Sequence, residues 1–157
     1  MSADAADVVG CAGGLIFDRV RLGWLVTVLI PAGSDSRPLQ ILGAEVADID
    51  AQAVPDEHRS ALLASCALLV EDGNARSEVE AALATKTTEV LMWGRALPAG
   101  LDRDGKSVTY RLSSAARAFK TQALIAAGLP IERMEPIEAY RTTCTLDLIA
   151  RELDVAG

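Results

Sequence analysis

Histidine is almost missing from this chain: His58 is the only one in 157 residues. The chain cannot supply two imidazoles to a metal, and a single imidazole with no nucleophile beside it in sequence has nothing to activate. Cysteine is scarce too, with Cys11, Cys66 and Cys144 far apart and no Cys-x-x-Cys pair to clamp a metal or run thiol exchange. They read as reduced, mostly buried thiols. No apolar run reaches the ~18 residues that a membrane span needs, and Met1 to Asp7 carries two aspartates and no basic stretch of the kind that opens a secretory signal. The expectation is a cytoplasmic, soluble protein without a membrane partner. Basic charge is in deficit, with Lys+Arg 15 against Asp+Glu 22 and a net charge of -7, and no basic stripe breaks the mixture. Such a surface repels a phosphate backbone, so nucleic acid is not an expected partner.

What is present is enough apolar residue for a core. Half of the chain is hydrophobic and 24% charged, the balance of one globular domain spanning 1–157. Leu15, Ile16, Val20 and Leu22 recur at three-to-four spacing and predict a short helix that Gly23 ends. Trp24 to Ile30 is a run rich in β-branched residues, closed by Pro31, as in a strand covered on both faces. Ala32 to Pro38 is a loop by composition, Leu39 to Leu42 a brief apolar segment, and Gly43 to Pro55 an irregular connection or a short strand. Asp56 to Leu69 predicts a helix with Leu62, Leu63, Cys66 and Leu69 on one side. Ser77 and Glu80 form a capping-box pattern, which starts a helix at Ser77 and carries it to about Thr85.

Further along, Glu89 to Gly94 and Ser107 to Leu112 predict strands, with a loop at Leu97 to Lys106 between them. Ser113 to Ala127 predicts an alanine-rich helix stopped by Gly128 and Pro130. Pro136 to Leu153 predicts a last helix, with Ile137, Tyr140, Cys144 and Leu148 at spacings of 3, 4 and 4 as a candidate interface face. Strands alternating with helices point to a single layered α/β domain with a mostly parallel sheet.

Few residues suggest chemistry. Gly10 to Gly14 could bring backbone N–H groups to an anion at a helix start, making Gly13 and Gly14 ligand-binding candidates. Their spacing is G-x-x-G-G and no Walker lysine follows, so close packing between elements explains them more simply. Cys11 has no basic neighbour in sequence and reads as structural. His58, beside Glu57 and Arg59, reads as a solvated side chain. Trp93, at the end of a strand before Gly94 and Arg95, is a ligand-binding candidate because strand C-termini face the crevice of parallel sheets. The simpler reading is a Trp that closes the core edge.

Taken together, Cys11-Ala12-Gly13-Gly14 and Gly23-Trp24-Leu25-Val26-Thr27-Val28 resemble the opening of the PIG-L/LmbE-like family of zinc-dependent N-acetyl-sugar deacetylases, whose members read H-P-D-D-E-x-x-G-C-G-G and then G-x-x-V-T-V-V. The stretch from Asp72 to Val79 is similar to that family's D-G-H-P-D-H-E-A, and Glu89 to Gly94 to its aromatic strand. The stretch from Tyr110 to Ala123 is similar to its L-S-x-x-A-R-A-A-K-R-x-A helix. The pieces occur in family order, and the resemblance implies a Rossmann-like α/β fold. Carried across residue by residue, the first His ligand falls on Asp4, the general base on Ala6, the Asp ligand on Asp7, the motif's Glu on Val8 and the later His ligand on Ser77. Only Asp7 keeps the family identity. The resemblance also implies a central strand before the motif, where only Met1 to Ala3 stand, so the expected fold is a truncated one.

These departures imply a pseudoenzyme: a catalytically silent relative with no cofactor and no metal at the degenerate positions Asp4, Asp7 and Ser77. It would act by binding, as a partner or stabilising subunit of another protein or as a homo-oligomer. The alternative is a metal-dependent hydrolase, deacetylase-like, with a rearranged site and zinc as its cofactor. A small-molecule or nucleotide site at the glycine-rich turn is a third reading.

Overall fold

The computed structural model describes residues 1–50, 60–95, 97–101, 105–142 and 153–155. Its contacts group into two compact units. One comprises Ser2–Gln52 and Arg111–Glu138; the other comprises Met1, Ala53–Tyr110 and Ala139–Gly157. Both mix helices and strands, so the chain is of the α/β class.

The first unit is built on helix α1, Ala5–Arg21. Asp4 caps it by accepting from the Ala6 N–H at 2.9 Å, and Arg19 and Arg21 lie in the last turn, where cations favour the helix dipole. This helix is longer than the sequence suggests, because it runs through Gly10, Gly13 and Gly14 instead of starting after them. Glycine inside a helix costs up to ~1 kcal/mol relative to alanine. Packing supplies the reason to keep two of them. A Cβ on Gly13 would lie 3.2 Å from Leu42, and one on Gly14 only 2.2 Å from Leu112. Val8, Val9, Ala12, Leu15 and Ile16 are buried on this helix.

Strand β1, Thr27–Ile30, pairs in parallel with β2, Glu45–Asp48, and the short helix α2, Arg37–Ile41, crosses between them. The expected strand begins three residues late. The stretch Gly43 to Pro55, for which the sequence predicts an irregular connection or a short strand, holds the short strand β2, whose partly exposed residues give little hydrophobic pattern. Helix α5, Ser114–Ala126, packs against α1 and α2. Ser113 caps α5 by accepting from the Ala116 N–H at 3.0 Å, and its hydroxyl donates to Asp18 of α1 at 2.6 Å. Phe17 and Phe119 stack with ring centroids 4.4 Å apart. The Arg19 guanidinium lies 5.6 Å from the Trp24 ring centroid.

In the second unit, β3 (Ala61–Ser65) and β4 (Glu89–Trp93) are parallel, with helices α3 (Cys66–Glu71) and α4 (Gly73–Thr85) between them in the chain. The Met1 backbone flanks β3, its carbonyl accepting from the Ser65 N–H at 3.0 Å. With β5 (Lys106–Arg111), β6 (Ile137–Thr142) and β7 (Leu153–Val155), the sheet order is β3-β4-β6-β5-β7. β4 pairs antiparallel with β6, and β5 antiparallel with β7. This sheet is mixed where the sequence reading expected a mostly parallel one.

The difference has one main source. Pro136–Leu153 was expected to be helical, but Ile137–Thr142 is a strand. The pair Ile137 and Tyr140 fits helical spacing by coincidence, while Glu138, Tyr140 and Thr142 are buried and their neighbours exposed, the period-2 signature of a strand. Ile137 and Tyr140 of the expected interface face therefore do not share a side: Ile137 is exposed and Tyr140 is buried on the opposite face, while Cys144 and Leu148 lie outside the described residues. The helix expected over Asp56–Leu69 is also replaced in part: among its described residues Ala61–Ser65 is β3 and the helix starts at Cys66. Periodicity alone does not separate a short buried strand from a helix turn.

Helix α4 starts earlier than the capping-box pattern suggests. Asp72 is its N-cap, accepting from the Asn74 and Ala75 N–H groups at 2.8 and 3.1 Å. Ser77 lies inside the helix and donates to the Gly73 carbonyl at 2.8 Å. Asp72→Ala is thus expected to lower stability by ~1 kcal/mol, while Ser77→Ala, at an exposed helical position, should change it by less than about 0.5 kcal/mol. Urea denaturation of the two variants checks this, and the opposite ranking would restore Ser77 as the cap.

Candidate functional site

The first turns of α1 hold the residues that the family resemblance singles out. Asp4 is committed to the helix cap. Ala6 follows, with a methyl group that neither takes nor gives a proton. Asp7 accepts from the Ser2 hydroxyl at 2.8 Å and from the Cys11 thiol at 3.6 Å, one turn on. Burial pushes the Cys11 thiol up to about 11, and the negative charge and hydrogen bond of Asp7 push the same way. Cys11 is therefore a protonated donor at neutral pH. A reactive thiolate needs the opposite surroundings.

This makes a measurable difference. The ordinary value is 9.0, so a thiol at about 11 carries roughly a hundredfold less thiolate at pH 8, and its alkylation by iodoacetamide should slow in proportion. Asp7→Asn removes the charge that opposes ionisation and should speed the reaction at Cys11. Peptide-level mass spectrometry reads the rate at this cysteine alone; a rate at or above that of an unstructured peptide would contradict the assigned environment.

Zinc does not fit the carried-over positions. Asp4 and Asp7 are already engaged in local hydrogen bonds, and the position of the second His is Ser77, which bonds its own helix backbone. A neutral hydroxyl is a poor replacement for imidazole, and a thiol held protonated does not ligate. Among the described residues, no group of three or more His, Cys, Asp or Glu side chains gathers to hold a metal ion. No catalytic step can be derived through such a centre.

Of the other candidates, the two glycines serve packing. Gly13 and Gly14 lie in the body of α1, with Gly14 pressed on Leu112, so they form no anion-binding turn at a helix start. Trp93 ends β4 and is 3% exposed, consistent with closing the core edge. His58 lies outside the described residues.

The strongest polar feature was missed by sequence reasoning. Lys120 of α5 and Glu138 at the start of β6 form an ion pair at 2.7 Å, with side chains 0% and 1% exposed. Glu138 also accepts from the Gly14 and Leu15 N–H groups at 2.8 and 2.9 Å, so its carboxylate ties α1, α5 and the start of β6 at one point. A signal for Lys120 existed: it shares a helix face with Ala116, Ala123 and Leu124, all buried, and a cation there needs a partner. Glu138 gives no such signal, because its segment also fits helical spacing.

Comparison of the chain with protein-family models, with curated proteins and with solved structures found no match to any of them.

Proposed function

We propose that this chain is a catalytically silent relative of the PIG-L/LmbE-like deacetylases that works by binding another protein, as a partner or stabilising subunit, or by binding a second copy of itself. In this reading its α/β architecture is a reduced form of that family's Rossmann-like fold. The observation that carries it is the fate of the carried-over positions: Asp4 caps α1, Ala6 replaces the base, and Ser77 bonds the Gly73 carbonyl. Groups that would bind and activate water are spent on helix formation, or are absent. A fold can persist in this way after its site has gone.

Exposed apolar side chains support the binding half of the reading. Leu22 and Leu25 are 62% and 78% exposed just after α1, and Phe119 and Ile125 are exposed on α5. Large apolar side chains left in water beyond a scattered few favour an interface. The acidic net charge favours a protein over a nucleic acid, and no helix among the described residues is long and apolar enough to cross a membrane. A cytoplasmic location is part of the same proposal.

Two measurements on purified protein test it. After incubation with excess zinc and desalting, elemental analysis should find well under one zinc per chain, with no change on Asp7→Ala. Light scattering at micromolar concentration should find a dimer or larger species, or a stable complex on adding the native partner. About one zinc per chain, lost on Asp7→Ala, would overturn the silent half in favour of a metal-dependent hydrolase. A monomer that gains no partner would overturn the binding half.

A further inference from the structure

We draw no further inference here: the strongest candidate, the side-chain cluster of Asp7, Cys11, Lys120 and Glu138 beside helix α1, consists of fold-supporting bonds already described plus one lone cysteine, with no second observation that points to a ligand.

Discussion

Glu138→Ala is expected to cost on the order of 3–5 kcal/mol of folding stability. Its carboxylate offers one oxygen to Lys120 and Gly14 and the other to Leu15. Removing it leaves an ammonium with 0% exposure and without its ion-pair partner, and takes an acceptor from two backbone N–H groups. Lys120→Met should cost less, because the carboxylate keeps both N–H donors and the thioether chain fills similar volume. The double variant should lose ~1–3 kcal/mol less than the sum of the two singles, since the uncompensated charge is gone. Guanidinium denaturation of the four proteins gives this cycle directly. A loss below about 1 kcal/mol for Glu138→Ala would show that the pair is not a buried one.

Gly14→Ala is the second large expectation, at ~2–3 kcal/mol of destabilisation. On helix propensity alone the substitution should gain up to ~1 kcal/mol. The new Cβ, however, would lie 2.2 Å from Cγ of Leu112 and 2.3 and 2.9 Å from its two methyl groups. Leu112 is itself buried, and a clash at its branch point is not relieved by rotating a chain end, so a main-chain segment must shift. Gly10→Ala on the same helix is the control. Nothing lies within 4 Å of a Cβ there, so it should stabilise by ~0.5–1 kcal/mol. Thermal unfolding of the pair separates packing from propensity. Equal and favourable shifts would mean that α1 and Leu112 are further apart than described.

The parts of the fold that were legible are those where local and tertiary preferences agree. Val90–Trp93 is a run of large apolar residues, all buried, that follows Glu89, and Lys106–Arg111 alternates cleanly near its end; both segments are readable as strands. Ser113 and Gly128 bracket α5 as a cap and a stop, with Gly128 at φ 69°. The misreadings have physical causes of the opposite kind. In α1, glycines that signal a turn in isolation are retained for closeness to Leu42 and Leu112, residues remote in sequence. In β6, six residues carry both periodicities, and pairing with β4 through Leu91↔Thr142 and Met92↔Arg141 selects the strand. At α4, Asp72 and Ser77 are both competent caps, and the earlier one takes the helix start.

At the candidate site, the sequence shows directly which side chains stand at the positions that the resemblance singles out, Ala6 and Ser77 among them. It did not show what the remaining polar groups do. The Glu138 cluster depends on partners 18, 123 and 124 residues away, and no local pattern encodes such a meeting.

That separation also bears on how the chain comes to be folded. The unit containing α1 is made of Ser2–Gln52 and Arg111–Glu138, while Ala53–Tyr110 belongs to the other unit. During synthesis α1 emerges well before the helix and carboxylate that cover it, which follow only after that whole intervening segment. Until then Val8, Ala12 and Leu15 lack their final neighbours, and closing so long a loop adds an entropic barrier that slows the last step. A ribosome that stalls before Arg111 therefore presents α1 without the cover of α5, leaving apolar surface of the kind that chaperones engage and neighbouring chains aggregate on.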